Sequence, residues 1–152
     1  VLPAIPKDTT DRNRTSPLAF TGNKFELRML GSSQSIAEPN IALNTIMAEE
    51  LHKFADRLEK AEDFDSELNA LICEALTEHQ RIIFNGNGYS VEWKNEALRR
   101  GLSDLSSTAI ALPHYISDKN ISLVTKRGIF TKEEFLARHE IHLEAYKKIV
   151  TL

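Results

Sequence analysis

The stretch Asp11–Arg28, DRNRTSPLAFTGNKFELR, carries the reading of the fold. Leu18–Phe20 and Lys24–Leu30 have strand composition, and Thr21-Gly22-Asn23 between them is turn chemistry, because Gly and Asn take positive φ at little cost. Phe25, Leu27 and Met29 alternate with Lys24, Glu26, Arg28 and Leu30. A period of two puts Lys24, Glu26 and Arg28 on one face of a strand and the apolar set on the other. Arg12 and Arg14 lie just upstream, so Glu26 stands among four cations in sequence. Two readings of this face stand. One is an exposed strand face of mixed charge. The other is a cradle for a metal, a phosphate and an acidic substrate. Arginine grips carboxylate or phosphate through two parallel N–H donors. A carboxylate is a hard oxygen ligand of the kind Mg2+ takes alongside phosphate oxygens. One glutamate alone does not complete a metal site.

Upstream, residues 1–17 hold Pro3, Pro6 and Pro17 and read as an extended lead-in. Downstream, Gly31–Pro39 is a loop of small residues. Leu43, Met47, Leu51, Phe54 and Leu58 then recur at helical spacing, which predicts a long helix over about 40–61 with those residues buried. A second helix is expected over about 64–84, turning Leu68, Leu71, Ile72, Ala75, Leu76, His79 and Ile83 inward. Asn85-Gly86-Asn87-Gly88 reads as its stop. Shorter helices are expected at Val91–Arg100, Leu105–Ala111 and Pro113–Lys126. Thr131 followed by Glu134 is a capping-box pattern opening a last helix with Phe135, His139, His142, Leu143, Tyr146 and Val150. The expected class is α+β: a short antiparallel hairpin that belongs to a larger sheet outside this chain, then a mainly helical region. Residues 1–35 would form the hairpin and its loops, and residues 36–152 the helical part.

A chain of 152 residues with 41% apolar and 27% charged residues has the composition of an ordinary globular domain. A net charge of -3 makes no electrostatic case for nucleic acid or an anionic membrane as partner. The single cysteine, Cys73, lies in an apolar helical pattern and reads as a small core residue. One cysteine allows no internal disulfide, which suits a reducing cytoplasm. No run approaches the roughly 18 apolar residues of a membrane span. VLPAIP at the start and LEAYKKIVTL at the end both read as cut from something longer. His-Glu-Ile-His at 139–142 spaces its histidines i, i+3 rather than the i, i+4 of HExxH, and reads as two half-buried helix histidines. Asn85–Gly88 lacks the GxxxxGK[ST] frame of a phosphate loop.

RNRTSP at 12–17, FTGNKFELR at 20–28 and RIIFNGNGYS at 81–90 together resemble the glutamine synthetases of the type III class. The resemblance implies ATP-dependent ligation of ammonia to L-glutamate through γ-glutamyl phosphate, with Mg2+ or Mn2+ between substrate and nucleotide. It implies that Glu26 is a metal ligand and that Arg28 contacts the glutamate substrate and the reacting group. Arg14, in Asn13-Arg14-Thr15, would lie near the ATP phosphates and the substrate, and Lys24 would help neutralise phosphate. It further implies a cytoplasmic homo-oligomeric ring with active sites between subunits. The remaining catalytic residues of the family would lie upstream of Val1, so the 152 residues alone are expected to be inactive. Ala19 stands where many relatives carry a second arginine. The alternatives are a helical interaction or assembly module, in which the hairpin charges are only surface, and a decayed paralogue.

Overall fold

Helical periodicity dominates from residue 37 onward, and the structure follows it. The structure, a computed structural model, describes residues 18–20, 25–27, 33–84 and 87–151. Strands β1 (Leu18–Phe20) and β2 (Phe25–Leu27) pair antiparallel, with Leu18 opposite Leu27, Ala19 opposite Glu26 and Phe20 opposite Phe25. Six helices follow: α1 (Ala37–Leu58), α2 (Phe64–Glu78), α3 (Val91–Arg99), α4 (Thr108–Tyr115), α5 (Asp118–Lys126) and α6 (Lys132–Val150), with a 3₁₀ turn at Gln80–Ile82. The expected α+β class is therefore corrected. Each strand spans three residues, and no larger sheet exists among the described residues. The described structure is helical, because alternation with period two lasts only a few residues while period 3.6 holds the rest.

Side-chain caps explain three helix starts. Asp63 accepts from the Asp65 and Ser66 amides at α2. Ser90 accepts from the Trp93 amide at α3. At α6 the expected capping box is present: Glu134 N–H donates to Thr131 Oγ1 at 3.1 Å and Thr131 N–H to Glu134 Oε2 at 2.8 Å. Two helices stop on glycine. Gly101 (φ 70°) and Gly128 (φ 65°) follow α3 and α5 in the left-handed region. Leu102 N–H reaches Ala97 O and Ile129 N–H reaches Val124 O, which closes a Schellman motif at each end.

Some boundaries differ from expectation. Pro113 lies inside α4 rather than opening the next helix. The break falls at Ile116–Ser117, where the Asn120 amide donates to the His114 carbonyl at 2.9 Å and the Tyr115 carbonyl at 3.3 Å. That side chain satisfies the terminal carbonyls of α4 and lets the chain restart as α5. The second helix ends at Glu78, before Asn85 and Gly86, which lie outside the described residues. Cys73 is exposed, not a core residue.

The chain divides into two compact units. The first comprises the strand pair and residues 54–104. Its buried centre is Leu71 of α2, flanked by half-buried Leu68, Ile72 and Ala75. Arg57, in the last turn of α1, ion-pairs with Glu67 and Glu74 of α2. Phe84 and Trp93 stack with centroids 3.7 Å apart, and the Arg100 guanidinium lies 5.4 Å over the Trp93 ring.

The second unit comprises residues 36–53 and 105–152. Val124 and Phe135 are buried in it. Phe135 stacks on Tyr115 at 4.6 Å and on Phe130 at 6.1 Å. The expected buried face of α1 is displaced: Met47 and Leu51 are exposed, while Thr45 and Glu49 are each 5% exposed. The cause is polar. Thr45 returns its hydroxyl to the Ile41 carbonyl at 2.7 Å, and Glu49 is held by Lys126 and by Arg127, the latter at 2.9 Å. A fully paired carboxylate can be buried where an unpaired one cannot.

Candidate functional site

Of the residues singled out from sequence, Glu26 lies on β2 and is half-buried. Arg14, Lys24 and Arg28 lie outside the described residues, so the predicted common face of Lys24, Glu26 and Arg28 does too. The ladder adds one fact that spacing alone did not: position 19 is the direct cross-strand partner of Glu26. Directly opposed residues in an antiparallel pair bring their Cβ atoms to about 5 Å. Glu26 supplies a hard oxygen of the kind Mg2+ or Mn2+ takes. Among the described residues no group of three candidate ligands forms, so they do not supply the rest of a metal's donor set.

A second arrangement, in the unit formed by residues 36–53 and 105–152, was not foreseen. Glu38, in the first turn of α1, accepts from Arg138 Nη1 at 3.1 Å through Oε1. Its Oε2 lies 2.9 Å from His142 Nε2 and 3.5 Å from the Tyr115 hydroxyl. Burial, then the Glu38 charge, pushes the Tyr115 phenol above its usual range. This cluster borders a cavity of about 250 Å³ walled by Ile41, Ile46, Leu123, Val124, Phe130 and Phe135. Further along α1, Lys126 and then Arg127 hold the Glu49 carboxyl down to about 2. Two carboxylates, Glu38 and Glu49, thus fasten α1 at separate points to α6 and to the end of α5. His139 and His142 are both half-buried on α6, and Tyr115 lies 6.2 Å and 5.5 Å from their rings. Among the described residues neither belongs to a group of three metal-ligating side chains. No described helix is long and apolar enough to cross a membrane. The Glu38 cluster ties the start of α1 to α4 and α6, and its geometry is that of a clamp.

A helical region carrying a short strand pair with an acidic residue at its centre defines a class when set beside known proteins. Residues 67–152, more than half of the chain, match the glutamine synthetase C-terminal domain, and the chain belongs to that family. Over 99% of its length it is 46% identical to a protein named type-3 glutamine synthetase from Dictyostelium discoideum. It is 42% identical to a glutamine synthetase from Butyrivibrio fibrisolvens and 41% identical to one from Bacteroides fragilis, over 95% of this chain in each case. These similarities bear out the resemblance drawn from RNRTSP, FTGNKFELR and RIIFNGNGYS. The chain spans about a fifth of the length of the curated relatives it matches, 21%, 21% and 20%.

Proposed function

We propose that this chain contributes one wall of the active site of a glutamate–ammonia ligase. The ligase would join ammonia to L-glutamate with ATP, through γ-glutamyl phosphate, in the service of glutamine synthesis. The observation that carries the reading is Glu26: a half-buried carboxylate on a paired strand, inside a chain of the glutamine synthetase family. On this reading residues 1–35 are the active-site hairpin with its loops, and residues 36–152 are the helical part of the same domain. Glu26 is one ligand of Mg2+ or Mn2+. Arg28 contacts the glutamate substrate and the group being transferred. Arg14 and Lys24 take ATP phosphate charge, with Arg14 also near substrate.

The chemistry asks little of covalent catalysis. Phosphoryl transfer is accelerated mainly by positioning and by stabilising charge as it develops. Arginine suits that role because its fork is always charged and matches phosphate geometry. We assign no step to the metal, since the described residues supply one donor. The working form is a homo-oligomeric ring in the cytoplasm, where a single unpaired cysteine is at home. The alternative, an assembly module or decayed paralogue without this chemistry, is not favoured by the similarity to named synthetases.

The test is ATP-dependent glutamine formation by the full-length protein carrying Glu26→Ala or Arg28→Ala. Losing one transition-state contact costs about 10²–10³ in rate. Activity surviving both changes would overturn the assignment.

A further inference from the structure

A charged concavity lies in the unit that holds residues 54–104. A cleft of about 780 Å³ is bordered by Thr77 and Gln80, by Arg81, and by Glu96, Arg99 and Arg100 of the α3 end. Two guanidinium groups, those of Arg99 and Arg100, bind one carboxylate there, and Arg81 lines the same cleft. Glu96 Oε2 accepts from Arg99 Nε at 2.7 Å, and Oε1 accepts from Arg99 Nη2 at 2.7 Å and Arg100 Nε at 2.6 Å. Arg99 and then Arg100 hold the Glu96 carboxyl down to about 2. Glu96 therefore acts as a brace that fixes two arginines in one orientation.

The brace leaves donors unspent. A guanidinium has five N–H groups. Arg99 spends two on Glu96. Arg100 spends its Nη1 group on the Arg81 carbonyl at 3.3 Å and the Ile83 carbonyl at 3.0 Å. Among the described residues no carboxylate pairs with Arg81, which lines the same cleft. The negative end of α3 offsets about half a charge. Three positive charges less Glu96 and that half charge still leave a clear excess. Free forked donors, held in place, with surplus positive charge, are what a tetrahedral oxyanion requires.

We propose that this cleft is a binding site for a phosphate group, free or carried by a small metabolite. Arg81 and Arg99 grip the anion, and Glu96 positions Arg99. The side chain of Arg99 is 74% exposed, so replacing it leaves the packing of α3 in place. The experiment is equilibrium dialysis of radiolabelled inorganic phosphate against the full-length protein, repeated with glucose 6-phosphate as competitor. Wild type is compared with Arg99→Lys and with Arg81→Ala/Arg99→Ala, and circular dichroism checks each fold. The double variant should lose one phosphate per chain, or bind it at least about tenfold more weakly, while glutamine-forming activity persists. Arg99→Lys, which keeps the charge and loses the fork, should fall between. Competition by glucose 6-phosphate at lower concentration than phosphate would identify a carried phosphate as the ligand; equal or weaker competition would identify the free ion. Unchanged phosphate stoichiometry and affinity in the folded Arg99→Lys and double variants would overturn the proposal. So would Arg81-dependent binding of a hexaglutamate peptide without any of phosphate, which would make the cleft a docking site for an acidic segment.

Discussion

Replacing Phe135 by alanine tests how α4, α5 and α6 hold together. Phe135 is 6% exposed and stacks between Tyr115 at 4.6 Å and Phe130 at 6.1 Å. Truncating a buried phenylalanine to alanine costs about 3–5 kcal/mol. Two ring contacts, each about 0.5–1.5 kcal/mol, push the value up. The neighbouring cavity of about 250 Å³ pushes it down, since the new void opens into existing space and the surround can relax. The lower end is therefore expected, about 3 kcal/mol. At 1.4 kcal/mol per factor of ten this is a fall of roughly 100- to 200-fold in protection. Native-state hydrogen exchange of α6 amides in the full-length protein reads it directly. Phe135→Leu, which keeps most of the volume, should cost about 1 kcal/mol. A fall below about fivefold for Phe135→Ala would refute the claim that this buried ring holds α4, α5 and α6 together.

Gly128→Ala should destabilise the α5 end by about 1–2 kcal/mol, because φ is 65° and the new Cβ meets nothing within 4 Å, so the cost is conformational alone. Hydrogen exchange at Ile129, whose amide closes the Schellman motif, would show it. Thr131→Ala removes one half of the capping box and should cost α6 about 1 kcal/mol, read as faster exchange in its first turn. Glu49 sets an acid limit. Its carboxyl is held from 4.5 down to about 2 by Lys126 and then Arg127, so the folded form binds the proton less readily than the unfolded one. The stabilisation is complete above pH 4.5 and is lost as pH falls from there toward about 2. Glu49→Gln should flatten the pH dependence of α5 protection across that window, and an unchanged slope would count against the clamp.

Local signals were legible and distant ones were not. The start of α6 was readable because Thr131 and Glu134 cap each other within one turn. The ends of α3 and α5 fall just before Gly101 and Gly128, where only glycine takes the required φ without strain. The α+β class failed because three residues per strand could not carry a fold class. Pro113 misled because a proline reads as a helix start, while the true break rests on Asn120, whose amide acts at a distance from its own turn. The face of α1 misled for a related reason. Leu51 and Met47 have the right spacing, but the buried positions went to Thr45, which bonds back to Ile41 on its own helix, and to Glu49, whose partners at the α5 end no periodicity reveals. Glu38 was invisible as a clamp, since Arg138 and His142 lie 100 and 104 residues away. Residue type and alternation left Glu26 open between a charged surface and a site, the metal role came from the family resemblance, and the ladder pairs Glu26 with position 19.

The most direct test of the account is the Mn2+ affinity of the full-length protein, measured by electron paramagnetic resonance, with Glu26 intact and as Glu26→Ala. A hard-oxygen ligand lost from a divalent site should weaken binding at least tenfold, and Glu26→Asp should recover part of it. Mn2+ binding that is equally tight in Glu26→Ala would contradict the placement of Glu26 at the metal.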